Sequence, residues 1–170
     1  MTAPRLAASV LLALGLGVLG SLSLLRLHDG PLGPLPGGAL VRGVLSEEPK
    51  PNWEEAGIGE TIELEVRPEA PWSVTTWAVV LGGSLYVAAD FLNPLKRWPY
   101  FVLGDPAVVV RAGGRRYRCT AVRVEDPALV ADLRRAFARK YVLTPDGLAA
   151  HTTAWFFRLE PKPATRPPAS

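Results

Sequence analysis

The chain has 170 residues, of which 48% are hydrophobic and 21% charged, and its 19 Lys and Arg nearly balance 16 Asp and Glu, for a formal net charge of +3. That balance argues against nucleic acid as a partner, and a single cysteine, Cys119, excludes an intrachain disulfide. His28 and His151 are distant and form no metal-ligand motif, and neither a G-x-S-x-G elbow nor a Walker loop is present, so no metal site and no catalytic residue is assigned.

Leu6 to Leu25 is an unbroken run of twenty uncharged residues between Arg5 and Arg26. As a helix it extends about 30 Å, the thickness of a bilayer's hydrocarbon core. Residues 1–28 are therefore read as a single-pass N-terminal membrane anchor, with membrane lipid as the first expected partner. The run is longer than a signal peptide's apolar stretch, and Ser21-Leu22-Ser23 is followed by Leu24-Leu25, which still belongs to the span, so an uncleaved anchor is expected. Two positive charges before the span, the α-amine and Arg5, against Arg26 just after it and Arg42 further on, slightly favour an inside N-terminus and a domain on the extracytoplasmic side. Gly15, Gly17 and Gly20 spell a dinucleotide-type G-x-G-x-x-G string, but inside an apolar span there is no strand before it and no helix start after it.

Residues 29–38 (DGPLGPLPGG) predict a stiff, structureless Pro/Gly spacer, residues 39–160 the folded domain, and residues 161–170 (PKPATRPPAS) a disordered tail. Thr61 to Arg67 alternates as a strand, with Ile62, Leu64 and Val66 on one face and Glu63, Glu65 and Arg67 on the other. Val74 to Leu81 and Ser84 to Ala89 flank Gly82-Gly83, and Ala107 to Ala112 and Arg115 to Val124 flank Gly113-Gly114. Both read as tight hairpins, because paired glycines supply the positive φ that a two-residue turn needs. In the second hairpin this turn sets Val110 opposite Tyr117 and Val108 opposite Cys119 on the inner face. It sets Arg111 opposite Arg116 on the outer one. Two opposed arginines destabilise a ladder unless an anion lies close, either the Glu63/Glu65 face or a bound phosphate.

One helix is expected after the second hairpin. Asp126 caps it, Pro127 occupies its first turn, and Leu129, Leu133, Ala136, Phe137 and Tyr141 form its apolar stripe. Arg134, Arg135, Arg139 and Lys140 read as its solvated or headgroup-facing side. A closing strand, Ala154 to Glu160, puts Trp155, Phe157 and Leu159 on one face. The expected fold is mainly β, a small antiparallel barrel with one inserted helix.

The ordered segments PWSVTTWAVVLGGSLYVAAD, LKRWPYFVLGDPAVVVRAGGRRYRCTAVRVEDP, a helix ending ARKY, and AWFFRLEP resemble the split β-barrel flavin-binding superfamily. That superfamily includes pyridoxamine-phosphate-oxidase-like proteins and deazaflavin-dependent nitroreductase-like oxidoreductases. The resemblance covers about Thr61 to Glu160, and its strength lies in the order of short motifs. It implies a cofactor, flavin mononucleotide (FMN) or the deazaflavin F420, laid across the barrel at a homodimer interface. By position, Thr75, Thr76 and Trp77 would lie along the ring, Ala88 and Ala89 beside it, and Lys96 and Arg97 on the phosphate. A guanidinium binds phosphate oxygens in pairs and an ammonium adds a point charge. The implied activity is that of an oxidoreductase, here acting on a lipophilic or quinone-like compound; the small-molecule ligand itself is not identified.

A second reading is a cofactor-free split-barrel module for a small hydrophobic ligand or a membrane protein partner, with Trp53, Trp72, Trp77 and Trp98 as contacts. On that reading Lys96 and Arg97 are loop cations and Trp98 packs on the barrel. Pro99 is expected to break a helix at this point.

Overall fold

The computed structural model describes residues 24–89, 96–142 and 154–162. The expected anchor lies almost wholly outside these residues. Among those described, no helix is long and apolar enough to cross a membrane.

Seven strands form one sheet: β1 (Val44–Leu45), β2 (Thr61–Val66), β3 (Trp72–Leu81), β4 (Ser84–Ala89), β5 (Ala107–Ala112), β6 (Arg115–Arg123) and β7 (Trp155–Pro161). Their order is β1-β6-β5-β2-β3-β4-β7, and an additional β6–β7 pairing closes six of them into an antiparallel barrel. Closure leaves no unpaired sheet edge across this seam. β6 is long enough to take two neighbours on one edge, β1 in parallel at Arg115 and Arg116 and β7 at Cys119 to Arg123.

Both hairpins form where the glycine pairs are. Gly82, Gly83, Gly113 and Gly114 all have positive φ. The β5–β6 register pairs Val110 with Tyr117, Val108 with Cys119 and Arg111 with Arg116, as a two-residue turn dictates. The barrel interior is filled by Ile62, Leu64 and Val66 of β2 with Leu85, Val87, Val108, Val110, Phe157 and Leu159. Trp53, from the loop after β1, joins this core against Tyr117 at a ring separation of 4.8 Å.

Beyond the expected anchor, two helices are found among the described residues where one was expected from the stripe. The short α1 (Trp98–Gly104) has Pro99 in its first turn, so the proline opens the helix instead of breaking it. A first-turn amide has no intrahelical partner to lose. Trp98 is buried against Phe157, their rings 5.6 Å apart, and fastens α1 to the barrel. α2 (Pro127–Tyr141) is capped by the Asp126 carboxylate, which accepts from the Leu129 amide at 3.0 Å. Its stripe, Leu129, Leu133, Ala136, Phe137 and Tyr141, packs on the outer face of the barrel with Val79, Tyr86 and Phe156. The domain also outlasts its expected end: Pro161 pairs with Cys119, and the Lys162 amide donates to the Arg118 carbonyl at 2.8 Å.

The expected free spacer at 29–38 is instead a strap docked on the barrel. The Asp29 carboxylate holds the Arg111 guanidinium at 2.8 and 2.9 Å, and Glu63 takes the same guanidinium through its Nε. Arg116 turns away to the Leu40 and Gly43 carbonyls at 2.8 and 3.0 Å. The opposed arginines are thus answered by carboxylates and backbone oxygens. Glu65, on the outer face of β2, is only 5% exposed and accepts from the Leu40 amide just past the strap, and burial pushes its carboxyl above the usual range. Burial also opposes ionisation of Asp29. Hydrogen bonds from the Val41 amide, Arg111 and the Arg42 amide outweigh it and hold the Asp29 carboxyl below its ordinary value.

Cys119 lies inside the barrel as a small apolar group, and desolvation pushes its thiol up to about 12. A raised thiol value means the native state keeps its proton more firmly than the unfolded one. Stability from this group is full below about pH 8.5 and is lost as pH rises towards the folded value. The native protein is therefore expected not to react with a disulfide reagent at pH 8 and to react with one thiol per chain when unfolded in guanidinium; rapid native labelling at pH 8 would refute the burial argument.

Candidate functional site

The β3–β4 ladder is the opening in the barrel wall. Its register runs from Leu81↔Ser84 to Ala78↔Val87 and stops there. Beyond that point β3 continues with β2 as far as Val66↔Trp72, while β4 continues with β7 to Ala89↔Trp155. The Thr76 hydroxyl reaches the Ala88 carbonyl across the gap at 3.4 Å.

A cleft of ≈ 310 Å³ sits at this parting, lined by Thr61, Thr75, Thr76, Trp77, Ala88 and Lys96, together with Gly33 and Pro34 of the strap. Five of the seven residues expected from sequence share it. Ala89 does not: alternation along β4 turns Ala88 outward and Ala89 into the barrel core, where it is fully buried. Arg97 does not line it either. It is the exposed N-cap of α1, and its carbonyl accepts from the Tyr100 and Phe101 amides. Among the described residues, Lys96 is the only cation lining the cleft.

Trp77 is held from behind. Its ring stacks on Tyr141 at 4.3 Å and 10°. The Tyr141 hydroxyl accepts from the Ala78 amide at 2.9 Å and shares its proton between the carbonyls of Ala78 and Glu60. Burial raises the Tyr141 phenol and lowers the neighbouring Lys140 ammonium. Lys140 was expected on the solvated side of α2. Its Nζ instead donates to the Gly59 and Ala78 carbonyls at 2.6 and 2.7 Å, so the last turn of α2 grips β3 and the loop that leads into β2.

The tryptophans divide by burial. Trp53 and Trp98 are core residues and offer no contact surface. Trp72 is half-buried, edge-on to Phe101, with the Arg26 guanidinium 4.2 Å above its ring. Trp77 alone of the four lines the cleft. A second depression of ≈ 320 Å³ lies beside the Glu48–Gly57 loop, but its Arg115 is already paired with Glu48 at 3.2 Å. No cluster of His, Cys, Asp and Glu able to hold a metal occurs among the described residues.

Sequence reasoning missed Gly33, Pro34 and Thr61. The first two belong to a segment whose composition signals a linker, and nothing local marks where such a segment docks.

No family model matches the chain, and no curated protein matches it. Solved structures do resemble it. The heme storage protein HutZ from Vibrio cholerae is 17% identical over 64% of this chain and 84% of that one, with a TM-score of 0.49. An F420 reductase is 20% identical over 66% and 94%, TM-score 0.44, and an FAD-binding protein from Mesorhizobium loti is 15% identical over 65% and 87%, TM-score 0.46. Likeness at these values is one of outline. The barrel itself rests on this chain's own strand register.

Proposed function

We propose that the cleft between β3 and β4 binds a flat, phosphate-bearing cofactor of the flavin type, FMN or the deazaflavin F420, and that the protein is a membrane-tethered oxidoreductase. The observation that carries this reading is convergence: Thr75, Thr76 and Trp77 from one strand, Ala88 from the next and Lys96 from a separate segment meet around one cavity. At ≈ 310 Å³ the cavity lies at the lower end of the range of roughly 300–1,000 Å³ for ligand pockets, enough for a ring system with its side chain running outward.

Such a cofactor supplies hydride transfer when bound; the protein supplies placement and charge. The Lys96 ammonium attracts an anionic phosphate as a point charge. Thr61 and Thr75 offer hydroxyls at the rim. Trp77, fixed by Tyr141, provides a rigid apolar plane, and the small Ala88 leaves room beside it. Residues 6–25 as anchor, the extracytoplasmic side as location, a homodimer as assembly and a lipophilic substrate drawn from the bilayer complete the reading; the apolar run and the family resemblance support them.

The test is titration of the full chain with FMN and with F420, followed by flavin fluorescence and absorption from about 300 to 500 nm. Saturable binding is expected, weakened about tenfold by Lys96→Ala, since a charge-assisted contact is lost while the fold stays intact. The presence of a single cation among the described residues of the cleft favours one alternative, a cofactor-free module for a small hydrophobic ligand. A colourless protein that takes up neither cofactor would select it.

A further inference from the structure

The strap makes a tight turn at Leu32–Leu35, where each amide donates to the other residue's carbonyl at 3.0 Å. Its two central residues, Gly33 and Pro34, are the ones that line the cleft. A Cβ on Gly33 meets no atom within 4 Å, and Leu32 and Leu35 are 44% and 47% exposed.

The turn is held at its two feet. At the first, the Asp29 carboxylate binds Arg111 at 2.8 and 2.9 Å and accepts from the Val41 amide at 2.7 Å. At the second, Gly37 and Ser73 exchange amide-to-carbonyl bonds of 2.9 and 3.1 Å, two residues before Thr75 on β3. Between the feet the chain doubles back so closely that a Cβ on Gly37 would lie 1.7 Å from the Gly30 carbonyl oxygen.

We propose that the Leu32–Leu35 turn is a wall of the ligand cleft and that Asp29 is its positioning residue, acting through Arg111. The proposal rests on the cofactor reading above for what the wall encloses, and not for the wall itself. The wall belongs to the segment that joins the apolar run to the barrel, so the proposed tether and the side of the cleft are one continuous stretch of chain. A ligand in the cleft meets Pro34 on one side and Trp77 on another, and a pre-placed wall raises affinity by sparing the cost of ordering it on binding.

Two readouts test this on the full chain, at a temperature below the unfolding midpoint of every variant. The first needs no ligand: labelling of lysine amines by an N-hydroxysuccinimide ester, read by mass spectrometry. Asp29→Ala is expected to raise the labelling rate of Lys96 about fivefold by loosening the turn, with Lys50 unchanged. The second is FMN titration, where the same variant is expected to bind about tenfold more weakly. An unchanged Lys96 rate overturns the proposal. Raised labelling with tighter FMN binding also overturns it, because the turn would then obstruct the cleft. If the wild-type protein binds no FMN, the cofactor reading falls and Lys96 labelling still decides the wall. Asp29→Asn, which keeps the size of the side chain, is read in the same way should Asp29→Ala fail to fold.

Discussion

Phe157→Ala is expected to lower stability by about 4 kcal/mol and the thermal midpoint by roughly 15 °C. Phe157 is fully buried, and its place in the topology makes the loss hard to absorb. It pairs with Val87 on one side and Arg123 on the other, so it sits on the strand that closes the barrel. A cavity there is walled by strands that cannot collapse inward without breaking the β4–β7 or β6–β7 ladder. The ring also seats Trp98, whose helix begins two residues after Lys96. The same variant is therefore expected to weaken whatever the cleft binds. Chemical denaturation with an intrinsic-fluorescence readout measures the effect; a loss under about 1 kcal/mol would show that neighbouring side chains refill the space.

Arg111→Met is expected to cost about 3 kcal/mol, more than an exposed ion pair is worth. The guanidinium is 17% exposed and Asp29 13%, and removing it takes the shared cation from Asp29 at the foot of the strap and from Glu63, 31% exposed, on β2. The triple variant Arg111→Met, Glu63→Gln, Asp29→Asn is expected to recover more than half of the loss, because the penalty lies in two partly buried carboxylates deprived of their shared cation. Urea denaturation of both variants checks this, and failure of the triple variant to recover would place the cost in lost side-chain packing. The pH dependence provides a second check. Asp29 is held below its ordinary value, so its contribution is full above about pH 3.9 and is lost as pH falls through the lower folded value. In Arg111→Met that acid-side loss shrinks.

Much of the barrel was legible in the sequence because its signals are local. Paired glycines force two-residue turns, and a two-residue turn leaves one register, so Val108 had to face Cys119 and Arg111 had to face Arg116. Alternation in β2 and the capped stripe of α2 likewise specify which side chains enter the core. Four of the seven residues expected from family resemblance lie together at the cleft for the same reason: once the hairpin forms, Thr75 to Trp77 and Ala88 are neighbours; a fifth, Lys96, comes from outside the hairpin. Ala89 was separable by strand period alone, and Arg97 by the proline that makes it an N-cap.

What the amino-acid sequence determined by itself is the six barrel strands (not the short β1), their glycine turns and the inward faces, since each follows from the steric preferences of a few adjacent residues. What only the tertiary structure decided is where the long-range partners fall: that a Pro/Gly stretch docks as a strap, that Asp29 answers Arg111, that Lys140 turns inward to backbone carbonyls, and that the ladder parts at Ala78 to open a cleft. The reason is physical. Charges and unpaired backbone groups are satisfied by whatever the closed barrel brings within about 3 Å, and that proximity is a property of the whole chain.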